Sequence, residues 1–224
     1  MSTTENDDES FSQSAVMKFL DYAYEKAVDG VGIPGMDTAS ELAESYLSEE
    51  GTLVEQIDSL IRWQNTKSAT SGFITGLGGV ITMPVAIPAN VSSVIFVQVR
   101  MVAAIAIMCG FNVNDDRVKT IVYTCLAGNS AKELLKDVGI TIGRKLTESA
   151  IKNISGATLV KINQAVGFRL FTKFGEKGAI NLAKGIPFVG GLVGGTFDAV
   201  TTNIVGNVAR DTFVGMVRDH IKSD

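Results

Sequence analysis

Histidine is almost missing from this chain: His220 is the only one in 224 residues. That removes His-ligand zinc motifs and Ser–His triads, and it leaves His-based acid–base catalysis to one residue close to the C-terminus. Cysteine is nearly as scarce, with Cys109 and Cys125 alone. A pair this small gives either one short-loop disulfide or two buried free thiols, and the apolar helical context of both favours thiols in a reducing compartment. There is no G-x-x-x-x-G-K-[ST] phosphate loop, and "GLGGV" (76–80) follows no strand pattern, so it is not a dinucleotide fingerprint. No cofactor and no metal site are expected. Few aromatics accompany the bases and no RNA-binding motif is present, which argues against nucleic acid as a partner. The opening "MSTTENDDES" lacks an apolar stretch and reads against a secretory signal.

Charge is missing from one long stretch. Ser68 to Val99 holds no Asp, Glu, Lys, Arg or His. The run is long enough for a membrane helix, but glycines and two prolines interrupt it. A re-entrant or internally packed hairpin therefore fits it better than a simple span.

The overall charge of −4 hides an asymmetry. Residues 1–66 hold fourteen acids against three bases, and residues 67–224 hold seventeen bases against ten acids. A basic, apolar body behind an acidic front predicts an anionic surface or acidic partner for the body. The alternative is that the front packs on the body. Mean hydropathy is positive at +0.23.

Period-3.6 spacing recurs and period-2 alternation of useful length does not, so the expected fold is all-α, a compact bundle of about seven to nine helices. Residues 1–10 read as a disordered acidic tail, 11–66 as an acidic helical region and 67–222 as a helical domain. Phe11 to Val28 forms the first helix, with Val16, Leu20, Ala23 and Tyr24 on one face. Thr38 and Glu41 are spaced for a capping box. Thr52 to Thr66 follows, with Leu53, Ile57, Leu60, Ile61 and Trp63 expected on its apolar side. Later helices are expected at about Ser68–Met83, Pro88–Phe111, Asp115–Ala127, Ser130–Ile154, Thr158–Ala183 and Phe197–Ile221.

Three features carry functional information. G-x-x-x-G spacing at Gly72/Gly76, Gly139/Gly143, Gly190/Gly194 and Gly191/Gly195 lets helix backbones approach, in lipid or in a close-packed soluble core. Asn90, Ser93 and Arg100 share a stripe on the helix from Pro88. Arg100 lies near its midpoint, where a bilayer would charge about 2.5–3.5 kcal/mol for it. It is expected to turn inward toward Asp198, or else to extend to a surface. Finally, Lys161, Arg169, Lys173 and Lys177 cluster with Phe168, Phe171 and Phe174, and Lys132, Lys136, Lys145 and Lys152 extend the positive character. Such a helix can lie on an anionic membrane surface or serve as a solvated face.

The two apolar segments are also where a family resemblance lies. "GFITGLGGVITMPVAIPANVSSVIFVQVRMVAAIAIMCGFN" (72–112) resembles the central motif of the EcsC family, a Gly-rich stretch leading through proline to a long helix and a Gly-aromatic turn. "GIPFVGGLVGGTFDAVTTNIVGNVARDTF" (185–213) resembles its second signature. The similarity spans about residues 60–215. Asn90 departs from it, standing where the family pattern has Asp. The family is bacterial and its founding member is encoded beside an ABC exporter. The resemblance implies a membrane-associated helical protein without an accepted enzymatic activity.

From these readings we expect a non-enzymatic protein at the cytoplasmic face of the inner membrane, bound peripherally or partly inserted, with a protein partner. It would assist a transporter or protect against a membrane-acting toxin. The alternative is a soluble immunity or interaction protein whose acidic N-terminal region binds a basic partner.

Overall fold

The computed structural model describes residues 12–29, 37–68, 87, 89–137, 151, 153–174 and 193–221. Their side chains are described too, apart from those at 29, 67, 68, 89, 90, 193–198 and 218–221. Among these residues all regular structure is helical: α1 (Gln13–Asp29), α2 (Ala39–Leu47), α3 (Leu53–Ser68), α4 (Ala89–Met108), α5 (Asp116–Leu126), a 3-10 turn (Gly128–Ser130), α6 (Ala131–Asp137), α7 (Gly156–Phe174) and α8 (Val193–Ile221).

Helix α4 is the axis of the bundle. Every residue from Val91 to Ala106 is buried, and α1, α2, α3, α5 and α8 all pack against it. It is long and apolar enough to cross a bilayer, yet 94% of that stretch is buried inside the protein. Its apolar surface is therefore used on neighbouring helices. Each fully buried Ile, Phe or Met there contributes about 1.5–3 kcal/mol, which makes α4 the main source of cohesion. The segment from Ser68 to Met83, read as a Gly-rich helix, lies outside the described residues apart from Ser68, the last residue of α3.

Local chemistry sets the helix ends. Thr38 accepts from the Glu41 amide (3.0 Å) while Glu41 accepts from the Thr38 amide (2.7 Å), the reciprocal box expected from their spacing. Thr52 and Glu55 do the same for α3. At the end of α4, Gly110 takes φ +81°, where a side chain would be strained. Its amide bonds to Ile107 O (2.8 Å) and the Phe111 amide to Ala106 O (3.0 Å), a Schellman pair that stops the helix. Asp115 then caps α5 through the Arg117 amide at 2.8 Å.

The apolar face of α1 is as its spacing predicts, with Val16, Leu20, Ala23 and Tyr24 all buried. On α3 the stripe differs from expectation. Ile57, Leu60 and Ile61 are buried, but Trp63 is 52% exposed and Gln64 is fully buried in its stead. The stripe continues from Leu60 and Ile61 to Gln64, one turn on, and Trp63 falls just off it. The last helix starts at Val193, earlier than the Gly-rich sequence suggests.

Two glycines set how close helices come. A Cβ on Gly206 of α8 would lie 2.8 Å from Ile61 Cγ1, and one on Gly167 of α7 would lie 2.8 Å from Met17 Sδ. Neither belongs to the G-x-x-x-G pairs. Gly72, Gly76, Gly139, Gly143, Gly190 and Gly191 lie outside the described residues, and at Gly194 and Gly195 only the helical main chain is described.

The acidic front is part of this one core. Asp58 of α3 meets Arg210 of α8 at 2.6 Å, and Asp21 of α1 meets Lys119 of α5 at 2.8 Å. Acids of residues 11–66 thus pair with bases of the remainder.

Candidate functional site

Polar side chains are buried on two sides of α4. Arg100, only 2% exposed, donates from Nη1 to the Asp37 carbonyl (3.2 Å) and from Nη2 to Gln64 Oε1 (3.1 Å). Both acceptors are neutral, and Nε is buried with no acceptor among the described residues. Burial pulls the guanidinium below its ordinary pKa, and the nearby Asp37 carboxylate works against that shift. Two residues earlier, about 200° around the helix, Gln98 donates to Thr201 Oγ1 (3.3 Å) and Thr202 Oγ1 (3.2 Å) of α8. Arg100 does turn inward, toward the start of α2 and the end of α3. The side chains of Asp198 and Asn90, grouped with it on sequence grounds, lie outside the described residues.

Spacing did not single out Asp37 or Gln64 as Arg100 partners. A signal existed for Gln64: an amide on an otherwise apolar stripe needs a polar neighbour when it is buried.

A second cluster joins α1 to α5. Tyr123 donates to Asp21 Oδ1 at 2.9 Å, Lys119 lies over the Tyr24 and Tyr123 rings, and Tyr24 donates to the Val113 carbonyl at 2.7 Å. Burial first, then the Asp21 charge, drives the Tyr123 phenol far above its usual range. These contacts tie α1 to α5 and to the turn before it, so the cluster serves the fold.

Cys109 and Cys125 are free thiols, the first half-buried and the second buried, and burial pushes each up to about 12. At that value neither is a thiolate nucleophile at neutral pH. Among the described residues no group of three or more His, Cys, Asp or Glu side chains gathers as metal ligands.

The surface is more informative. Helix α7 (GATLVKINQAVGFRLFTKF) contains no acid. Ile162, Val166 and Leu170 are buried, while Val160, Lys161, Phe168 and Arg169 are exposed. Phe168 is 54% and Val160 56% exposed. The six described members of the predicted basic–aromatic group therefore divide. Lys161, Arg169 and Phe168 face solvent, whereas Phe171 and Phe174 pack against the core. Lys173 is half-buried with Nζ 5.0 Å from the Phe174 ring centre, and burial pushes it down to about 8. Lys177 lies outside the described residues.

At the α2–α3 corner the surface has the opposite sign. One open groove of about 610 Å³ is lined by Glu49, Glu50, Gly51, Glu55, Asp58, Ser59 and Arg62. A second, of about 440 Å³, shares Glu49, Ser59 and Arg62 and reaches Tyr46, Trp63 and Thr66.

The EcsC protein family model matches residues 9–214. The chain belongs to the EcsC family. The match begins at residue 9, so α1 to α3 fall within the family region, which reaches further toward the N-terminus than the two apolar motifs. No curated protein and no solved structure matches the chain significantly.

Proposed function

We propose that this EcsC-family chain is a non-enzymatic protein that docks on the cytoplasmic face of the inner membrane through α7. There it assists a transporter or protects against a membrane-acting toxin. The observation that carries this reading is the acid-free helix whose solvent side presents Phe168 and Val160 beside Lys161 and Arg169. Apolar side chains rimmed by bases suit the boundary between headgroups and acyl chains, and each base near an anionic surface adds about 1 kcal/mol. The attachment is peripheral in this reading, because the apolar surface of α4 is already covered by other helices.

Flotation with vesicles tests it. Binding to vesicles containing phosphatidylglycerol is expected, with little binding to phosphatidylcholine alone. Lys161→Ser with Arg169→Ser should weaken it about 30-fold, the equivalent of two such charges. Equal binding to both vesicle types, or an unaffected variant, would remove the lipid reading.

A second reading is supported by the acidic groove beside Trp63: an interaction protein whose N-terminal region takes a basic partner. Charge complementarity of this kind speeds encounter and selects partners.

A further inference from the structure

We propose that this chain associates with itself head to tail, α7 of one copy seating in the α2–α3 groove of the next. The inference rests on the second reading, that the acidic side takes a basic partner, and it names that partner as another copy.

Among the described residues, the exposed large apolar side chains are Leu47, Trp63, Val160, Phe168 and Val200. Four of them fall into two pairs. Trp63 of α3 lines the smaller groove with Glu49 and Arg62, the adjoining groove adds Glu50, Glu55 and Asp58, and Leu47 is exposed at the end of α2. Val160 and Phe168 stand on α7 beside Lys161 and Arg169. Each patch thus combines an aromatic, an aliphatic and charged neighbours: four acids and one base, Arg62, at the corner, and bases alone on α7, so the net signs are opposite. Such pairing of apolar centre with complementary rim is what a protein interface requires.

The fold keeps the two patches apart. Helix α7 packs on α1, α5 and α6, whereas α3 packs on α2, α4 and α8. The patches belong to different flanks of the core, so satisfying one with the other takes two molecules. A contact between unlike surfaces is heterologous: it leaves one free patch of each kind at the ends and extends until it closes. Helix α7 is about 28 Å long at 1.5 Å per residue, so a single helix in a groove makes a small interface. The association is expected to be weak and salt-sensitive.

The experiment uses the full chain without lipid, by sedimentation velocity over a concentration series at low and high salt. The wild type is expected to grow beyond a dimer with concentration at low salt, and to shift at least tenfold toward monomer at high salt. Two variants divide the contact. Glu49→Lys with Glu50→Lys damages the groove; Lys161→Ser with Phe168→Ser damages the helix. Each alone should be monomeric with unchanged helicity, since all four positions are exposed. Mixed, they should form a one-to-one pair that grows no further, because each supplies the patch that the other lacks. The single tryptophan reports on the same event: its emission should shift to the blue on mixing.

A wild type that stays monomeric, variants that still assemble, or a mixture that does not pair would each overturn the proposal. Trp63 emission that responds to a synthetic Lys/Leu amphipathic peptide while the wild type stays monomeric would also overturn it. That last result would leave the basic-partner reading standing.

Discussion

Arg100 is a cation held by two neutral acceptors at the centre of the most buried helix. Removing a guanidinium from water costs several kcal/mol, and hydrogen bonds to a carbonyl and an amide return only part of it. Truncation and replacement should then behave differently. Arg100→Ala leaves a cavity and takes its donors from the Asp37 carbonyl and Gln64 Oε1, and should lose about 3 kcal/mol. Arg100→Met takes away the same donors but keeps most of the volume and sheds the buried charge, and should lose only about 1 kcal/mol. Urea unfolding of both variants measures the difference; equal losses would mean that the charge itself stabilises the fold. Lys173 makes a second residue-scale case. Burial lowers it from 10.5 to about 8, so between those values the unfolded chain binds more protons than the folded one. Stability should therefore rise with pH from about 8 to 10.5, and below 8 the cost of burying the charged amine is fully felt. Lys173→Met should be more stable than wild type at neutral pH and should lack that rise, as read from thermal melts across the range.

Among the elements, sequence was a good guide wherever a neighbour within one or two turns decides the outcome. The Thr38–Glu41 box, the Asp115 cap and the buried face of α1 are of this kind. It failed where the opposing helix decides. Trp63 lies one position off a stripe whose edge depends on what α3 packs against. The acceptors of Arg100 lie 63 and 36 residues away along the chain, a pairing that spacing does not reveal. Gly206 resembles any helical glycine until Ile61 is seen against it. Alanine there would gain about 1 kcal/mol of helix propensity, but the contact at 2.8 Å to a branched side chain forces helices α3 and α8 apart. Gly206→Ala is expected to lose about 1–2 kcal/mol. In an Ile61→Ala background the same change should become neutral or favourable. A double-mutant cycle by chemical denaturation measures that coupling, and additive losses would show that the close approach is unimportant.

For the whole molecule, the charge asymmetry along the chain becomes an asymmetry in space, bases on α7 and acids at the α2–α3 corner. It does not divide the protein into separable parts. Helices α1, α2 and α3 cover α4, and the Asp58–Arg210 and Asp21–Lys119 pairs join front to body. Removal of residues 1–66 should therefore leave an unfolded or aggregating remainder, seen as loss of helical circular dichroism and of a cooperative melt. A stable, monomeric, helical product would mean that residues 67–224 fold alone.

The burial of α4 has a further consequence during synthesis. When this stretch leaves the ribosome it has the length and greasiness of a signal anchor, and the targeting machinery samples nascent segments on those properties. Arg100 sits midway along it, a charge that disfavours partition through the translocon. Helices α1 to α3 have already emerged by then and can cover the segment as it appears, since N-terminal units fold first. The same arginine that costs the finished fold something would thus steer the newborn chain away from insertion.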